Sequence, residues 1–114
     1  MNKSLLHKIA VDIVGEVKLY RLGVFDNSSF DLAELKESGN YPAHHHHKSE
    51  AKFYFISGEG FIILNGKKHR YKKGDTFTIP KGMKHGFQSK TETLFLSIQT
   101  PPIKDPKTGK EDLF

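Results

Sequence analysis

The sequence predicts an all-β protein whose strands close into a barrel or a sandwich. From Lys52 onward, short apolar runs are separated by residues typical of turns, and the run TFTI alternates threonine with apolar residues as a half-buried strand does. Neither a long amphipathic helix nor an internal repeat is visible in the chain. Strands this short and this numerous must hide their edges, and a closed barrel or a sandwich achieves that.

The predicted strands follow one another along the chain. In the first third they are EVKLYRLGVF and SFDLAEL, and from Lys52 they are KFYFI, FIIL, KHRYKK, TFTI, HGFQS and TLFLSIQT. The segment from Leu32 to Ser38 is also compatible with one helical turn. Tyr54, Ser97 and Gln99 belong to these strands and are candidates for lining an interior cavity.

Two connections between these strands have the residues of specific turns. Asn65-Gly66 between two apolar runs predicts a type I′ hairpin turn, because both residues tolerate a positive φ. Ile79-Pro80-Lys81-Gly82 predicts a type I turn, with proline at the second position and glycine at the fourth.

Length and composition indicate one globular domain. With 114 residues, of which 36% are hydrophobic and 27% charged, the chain can bury one modest core. We expect N-terminal strands over residues 1–38, a barrel with the functional motifs over 39–100 and an irregular, proline-rich tail over 101–114. The chain has no cysteine, which excludes disulfides and thiolate metal sites, so metal ligands would have to be nitrogen or oxygen atoms.

The net charge of +5 comes mostly from lysine, and the densest basic stretch is KKHRYKK, residues 67–73. A solvated hairpin that resists edge pairing accounts for it, and an electrostatic aid to an anionic ligand or a nucleic-acid patch are the alternatives. Because these residues flank a turn and match no nucleic-acid module, nucleic acid is not an expected partner. No apolar stretch is long enough for a signal peptide or a membrane span, so we expect a cytoplasmic location.

Four consecutive histidines, His44 to His47, precede a charged and aromatic segment. Since a strand has a period of two, His44 and His46 would point to one face, and His45 and His47 to the other. Glu50 has the same parity as His44 and His46 if the segment stays extended. At most one alternating pair of the run can therefore share a site.

A further histidine, His85, follows the turn at Pro80, where the chain re-enters a sheet and can meet a neighbouring strand. Three imidazoles and a carboxylate form a coherent ligand set for Zn²⁺, Fe²⁺, Mn²⁺, Ni²⁺ or Cu²⁺. Four protein ligands would leave one or two positions open on a five- or six-coordinate ion, as catalysis requires. We therefore expect one divalent transition metal ion as cofactor.

The segment GDTFTIPKGMKHGF resembles the second motif of the cupin superfamily, G-x5-P-x-G-x2-H-x3-N. The residues that match are Gly74, Pro80, Gly82 and His85. Ser89 stands where the motif ends in asparagine. The stretch from Gly39 to Gly58 resembles the first cupin motif, G-x5-H-x-H-x3-4-E-x6-G, with the histidine run and Glu50 inside it.

The first motif can be placed in two registers. Counting forward from Gly39 selects His45 and His47 and puts the carboxylate at or after Ala51. Counting back from FYFISG selects the other pair and puts the carboxylate at Glu50 or Ala51, of which only Glu50 is acidic. We predict His44, His46, Glu50 and His85 as metal ligands, with His45 and His47 as the rival pair.

The resemblance implies a small antiparallel β-barrel of two sheets, a double-stranded jelly roll, with the metal inside and frequent dimerisation. It also implies a range of activities that includes dioxygenases, isomerases, epimerases, lyases and non-catalytic binders. The first hypothesis is a metalloenzyme acting on a small polar substrate, anionic in view of the excess lysine, in which Glu50 or a spare histidine moves protons. The alternatives are a metal-containing binding or sensing module without turnover and a metal-free structural protein.

Overall fold

The structure is a computed structural model that describes residues 10–14, 16–44 and 49–102. These residues form ten β-strands and no helix. In chain order the strands are β1 (Ala10–Val14), β2 (Val17–Phe25), β3 (Ser28–Leu35), β4 (Asn40–His44), β5 (Glu50–Ser57), β6 (Gly60–Leu64), β7 (Lys67–Tyr71), β8 (Thr76–Ile79), β9 (His85–Ser89) and β10 (Thr93–Thr100). In particular, the described ranges contain no helix with the length and apolarity needed to cross a membrane.

The strands form two sheets that face each other. One sheet has six strands in the order β1-β2-β3-β10-β5-β8, and the other has four in the order β4-β9-β6-β7. All the strand pairs are antiparallel. The predicted all-β fold, a small antiparallel barrel of the jelly-roll type, is confirmed. The helical alternative for the segment from Leu32 is wrong, because strand β3 continues to Leu35 between β2 and β10.

Alternation along the strands builds the interior. In β5 the side chains of Ala51, Phe53 and Phe55 are buried while their neighbours in the strand are exposed. The two sheets meet through aromatic side chains, such as Phe53, whose ring lies 5.1 Å from that of Phe87, and Phe87, whose ring lies 4.7 Å from that of Phe95. Bulky rings at facing positions supply much of the apolar area that a chain of this size needs to bury.

Both turns predicted from the sequence are present, but the second has a different geometry from the predicted one. Asn65 and Gly66 have φ values of 48° and 81°, which confirms the type I′ turn between β6 and β7. The type I turn predicted from Ile79 is wrong. The hydrogen bond that closes this turn runs from Met83 N to Pro80 O, 3.2 Å, and Gly82 lies at its third position with φ 83°. A positive φ at that position is what a type II turn requires.

The predicted division of the chain into N-terminal strands, barrel and tail can be compared with the structure mainly at the N-terminal end. Strands β1 to β3 lie in the same sheet as β5, β8 and β10, so the N-terminal segment is part of the barrel wall. Of the predicted irregular tail, Pro101 and Pro102 are described and form no strand, and residues 103–114 lie outside the described residues. The division into segments stays a prediction.

Candidate metal centre

One end of the barrel collects the residues that the sequence singles out. There β8 ends at Ile79, the loop 80–84 crosses to the second sheet, and β9 begins at His85. On the six-stranded sheet, the start of β5 pairs with the end of β10 at the same end. The ring centroids of Phe53 and His85 lie 5.5 Å apart, so the side chain of His85 points into the barrel, toward the inner face of the six-stranded sheet.

His85 is a buried histidine whose side chain is only 1% exposed. Its Nδ1 lies 3.1 Å from the carbonyl oxygen of Met83. Because a carbonyl oxygen can only accept a hydrogen bond, Nδ1 carries a proton, and in the neutral form of the ring the lone pair is on Nε2. Metal-bound histidines are oriented in this way, with one ring nitrogen donating to a backbone carbonyl and the other binding the ion.

The loop before His85 is fixed by the hairpin turn between β6 and β7. Asn65 Oδ1 accepts a hydrogen bond from Lys84 N at 3.0 Å, and Asn65 N donates to Lys84 O at 2.9 Å. Two reciprocal bonds therefore hold the residue directly before His85. The Asn-Gly pair that predicts a hairpin thus also positions the backbone of the candidate ligand.

The histidine run begins opposite His85. The Cα atom of His44 is the register partner of that of His85, and Tyr41 is the partner of Phe87. Between these pairs β4 advances by three residues (41 to 44) and β9 by two (87 to 85), so β4 contains a bulge with one extra residue. The structure describes the backbone of His44, and the predicted ligand His46 and the rival pair His45 and His47 lie outside the described residues.

The acidic residue of the predicted ligand set lies at the start of β5. Glu50 is exposed, and by the alternation of the strand it lies on the face opposite to Ala51 and Phe53. Ala51 faces the interior and is 1% exposed. Coordination by Glu50, and its predicted part in catalysis, stay predictions; the residue that β5 presents to the interior at this level is Ala51.

Polar side chains continue across the inner face of the six-stranded sheet. Asp31 is buried and accepts a hydrogen bond from Arg21 Nη1 at 3.0 Å, and Asp12 accepts one from Arg21 Nε at 2.9 Å. Burial alone would lower the pKa of Arg21, but the hydrogen bond to Asp12 and the charges of both carboxylates raise the pKa above its ordinary value. The guanidinium therefore stays charged between the two carboxylates.

Strand β10 adds two neutral polar groups to this face. Ser97 and Gln99 are both buried, and Ser29 Oγ donates a hydrogen bond to Gln99 Oε1 at 2.8 Å. The amide nitrogen of Gln99 donates to Ser97 Oγ. Ser97 is the register partner of both Asp31 and Phe53, so the polar groups lie beside the ring that contacts His85.

The three residues proposed to line a cavity do not all face the interior. Ser97 and Gln99 face the interior, whereas the prediction for Tyr54 is wrong, because Tyr54 is 40% exposed on the outer face of β5. The buried Asp31 and its partly exposed partner Arg21 are polar residues that the sequence analysis did not identify. Asp31 shares its parity with two buried residues of SFDLAEL, and that alternation is the signal that could have identified it.

The described residues contain no group of three or more histidine, cysteine, aspartate or glutamate side chains that could hold a metal ion. The predicted set includes His46, outside the described ranges, so the set stays a prediction. What the described part supplies is a buried imidazole with an oriented lone pair, next to neutral hydrogen-bonding groups. Such an arrangement can contribute one ligand to a metal site and orient a polar ligand beside it.

Two antiparallel sheets, with a buried imidazole and polar groups at one end of the barrel, define a small β-barrel protein with a partly polar interior. The chain belongs to the cupin family: the family model described as a cupin domain matches residues 31–98, more than half of the chain. An uncharacterized protein of Aquifex aeolicus (strain VF5) is 33% identical over 89 residues, which are 77% of this chain and 72% of that protein. Acireductone dioxygenase of Bacillus mycoides (strain KBAB4) is 26% identical over 87 residues, and this chain spans 50% of its length.

Solved structures share the fold at low sequence identity. An RmlC-like cupin from Shewanella frigidimarina has a TM-score of 0.73 at 21% identity, covering 83% of this chain and 86% of that one. A variant of Streptomyces Pac13 with uridine has a TM-score of 0.79 at 14% identity, covering 95% and 84% of the two chains. Pac13 is described as a nucleoside dehydratase. At these identities the likeness supports the fold of this chain.

Proposed function

We propose that this chain is a metal-dependent cupin acting on a small polar substrate, with isomerase, epimerase or dioxygenase chemistry. The observation that carries the proposal is the buried, oriented imidazole of His85, whose Cα atom is the register partner of that of His44. Directly opposed residues of antiparallel strands have neighbouring Cα atoms, and this closeness of the two backbones supports these two histidines acting together. His46 follows at the same parity in the sequence.

The ion would be one divalent transition metal of the kind that imidazole favours: Fe²⁺, Mn²⁺, Ni²⁺, Zn²⁺ or Cu²⁺. When bound, it would supply a Lewis acid or a redox centre with coordination positions open to substrate. The residues of the chain would hold and surround it. His85 would bind through Nε2, the rings of Phe53 and Phe87 would exclude water, and Gln99 would orient polar groups of the substrate.

Two of the similar proteins support an enzyme by their described activities, since one is an acireductone dioxygenase and the other a nucleoside dehydratase. The alternative is a binding or sensing module that holds the metal and a small molecule without turnover. Oxygen consumption, isomerisation and dehydration measured over a panel of diketones, sugar phosphates and nucleosides would separate the two. Metal binding and ligand binding without any turnover would favour the module.

The ligand set is tested by metal analysis of untagged protein dialysed against metal-free buffer after loading with each of the five ions. We expect close to one bound ion per chain in the wild type. His85→Ala should bind none, and His45→Ala should keep most of the wild-type metal content. Loss of metal in His45→Ala equal to that in His44→Ala would mean that the rival pair, His45 and His47, holds the ion. No metal in the wild type with any of the ions would contradict the proposal.

We also propose a homodimer formed through the outer face of the six-stranded sheet. Tyr20, Leu32, Leu96 and Tyr54 are register partners across β2, β3, β10 and β5 and form one apolar row on that face. Lys18 and Glu34 pair beside this row, so the face carries both charge signs and can complement a second copy of itself. The predicted cytoplasmic location stays a prediction, which cell fractionation would test.

A further inference from the structure

We infer that the free edge of strand β7 is a docking site for an acidic, extended segment of a partner protein. Strand β7 lies at one end of the four-stranded sheet and, among the described strands, pairs only with β6. A strand in this position has a row of unpaired backbone N–H and C=O groups, to which an extended peptide can add as a further strand. The inference concerns the outside of the barrel and is independent of the proposed metal site.

The positive charge of the chain is concentrated at this edge. Residues 67–73, which we call the basic edge, contain five of the 18 lysine and arginine residues and no aspartate or glutamate. The remaining 13 basic residues equal the 13 acidic residues in number, so the basic edge accounts for the whole net charge of +5. The four residues of the basic edge that precede Tyr71 are all exposed, as are the two lysines that follow it.

The cations of the basic edge form no ion pair with any residue that the structure describes. The ion pairs found in the described ranges both belong to Arg21, on the other sheet. The nearest acidic residue along the chain, Asp75, accepts a hydrogen bond from the backbone N of Lys72 at 3.0 Å, so its carboxylate holds the turn after β7. The charges of the basic edge are thus available to the acidic groups of a partner.

Protection of the edge against aggregation does not account for this concentration of charge. Lysines on an edge strand oppose pairing with other chains, so they are expected wherever an edge is exposed. The other three edge strands are β1, β4 and β8, and none of them contains a lysine or an arginine. Strand β1 also leaves Val11 and Ile13 exposed. The charge is therefore specific to β7, as a recognition surface requires.

The cations of β7 point to both sides of the strand. Lys68 and Arg70 have the same parity, and Lys68 Nζ lies 5.5 Å from the centroid of the Phe61 ring of β6. Lys67 and His69 have the opposite parity. In a strand added to this edge, acidic residues at alternate positions would lie beside Lys68 and Arg70, and opposite charges at cross-strand positions attract. The complementary ligand is therefore an extended peptide with an acidic residue at every second position.

The side chains of the basic edge favour a peptide over other occupants. A single-stranded nucleic acid stacks its bases on aromatic faces, but Tyr71 is buried and Lys68 lies over the ring of Phe61. A second copy of this chain that paired through the same strand would bring a second basic edge, and like charges directly opposite each other repel. An acidic strand matches both the charge and the free backbone groups of β7.

The test measures the binding of short fluorescent peptides to the wild-type protein by fluorescence anisotropy. A peptide of alternating glutamate and valine should bind, and its glutamine analogue should bind about tenfold more weakly because it lacks the charges. The glutamate peptide N-methylated at every residue keeps the charges but has no backbone donor, so it should also bind about tenfold more weakly. Equal binding of either analogue, or no binding of the glutamate peptide, would overturn the inference. Tighter binding of an oligothymidylate of equal charge would overturn it as well.

Charge-reversal variants locate the site. Lys68→Glu combined with Arg70→Glu should bind the glutamate peptide about tenfold more weakly and should gain binding of a peptide of alternating lysine and valine. Lys36→Glu combined with Lys90→Glu is the matched control, because it makes the same change in net charge at two exposed lysines outside β7. Its affinity for the glutamate peptide should stay within about threefold of the wild type. If the charge reversal on β7 does not fold, as judged by circular dichroism, Lys68→Gln with Arg70→Gln carries the test. Equal losses in the β7 variant and the control would overturn the inference.

Discussion

The hydroxyl of Ser89 joins two segments of the barrel through two hydrogen bonds. It accepts a bond from Gly39 N at 2.7 Å and donates one to Lys36 O at 2.5 Å. Both partners belong to the tight connection between β3 and β4, just upstream of the histidine run. At this position the family motif has asparagine, and in this chain a serine connects β9 to that turn.

We expect Ser89→Ala to lower the free energy of unfolding by about 2 kcal/mol, because it leaves the buried N–H of Gly39 and the partly buried carbonyl of Lys36 with fewer partners. Urea unfolding followed by circular dichroism measures the loss. Ser57→Ala is the matched control: Ser57 is an exposed strand serine, so its loss should change stability by less than about 0.5 kcal/mol. Equal effects of the two substitutions would contradict the structural role of Ser89.

Single residues of the site differ in how well the sequence predicts them. His85 follows from a local motif whose glycines and proline flank the short strand β8, so a short window contains the necessary information. The choice between Glu50 and Ala51 depends on which residues of β5 face the core, and that is set by pairing with β8 and β10 rather than by the count along the motif. The ion pair between Arg21 and Asp31 joins two strands; the alternation of β3 marks Asp31 as inward-facing, but neither strand alone identifies its partner.

Among the strands, β7 contributes one buried residue from an otherwise exposed, basic stretch. Tyr71 stacks on Phe55 with ring centroids 4.0 Å apart, and its hydroxyl bonds Thr93 Oγ1 at 2.7 Å. Burial raises the pKa of Tyr71 above its ordinary value of 10.0 and outweighs the opposing hydrogen bond to Thr93. The folded protein therefore holds the phenol proton more tightly than the unfolded chain does.

This difference predicts a loss of stability at alkaline pH. The contribution of Tyr71 is fully present below its unfolded pKa of 10.0 and falls as the pH rises through the folded pKa, since only the unfolded chain ionises in that interval. We expect Tyr71→Phe to be less stable than the wild type by about 1 kcal/mol at pH 8. The gap should narrow above pH 10, measured by urea unfolding across this range. A gap that stays constant up to pH 11 would contradict the prediction.

Strands differ in how clearly the sequence predicts them. Strands β5 and β10 alternate between buried and less buried residues, and this alternation makes them visible in the sequence. Strand β1 was not identified separately, because it pairs only with β2 and leaves Val11 and Ile13 exposed, so no buried face marks it. The bulge in β4 was also not predicted, since a bulge is defined only against the partner strand.

For the whole molecule, the apolar row on the six-stranded sheet predicts the oligomeric state. A stable dimer buries about 800 Å² per partner, and the row with Val11 at its margin crosses five strands. We expect twice the chain mass by light scattering at micromolar concentration. Leu96→Lys places a charge in the middle of the row and should give a monomer, because a buried unpaired charge is costly.

His69→Lys serves as the matched control, because His69 is exposed on β7 of the other sheet. It should leave the mass unchanged. A monomeric wild type at micromolar concentration, or equal dissociation of the two variants, would contradict an interface on the six-stranded sheet.

Strand β10, the last one along the described chain, lies in the sheet between β3 and β5, and both of its edges are paired. During synthesis, β3 and β5 are therefore made well before the strand that separates them. Until β10 leaves the ribosome, both strands expose edges and apolar faces to other nascent chains. The six-stranded sheet cannot be completed before this strand is made, so truncation within Thr93–Thr100 is a route to aggregation rather than to a smaller folded barrel.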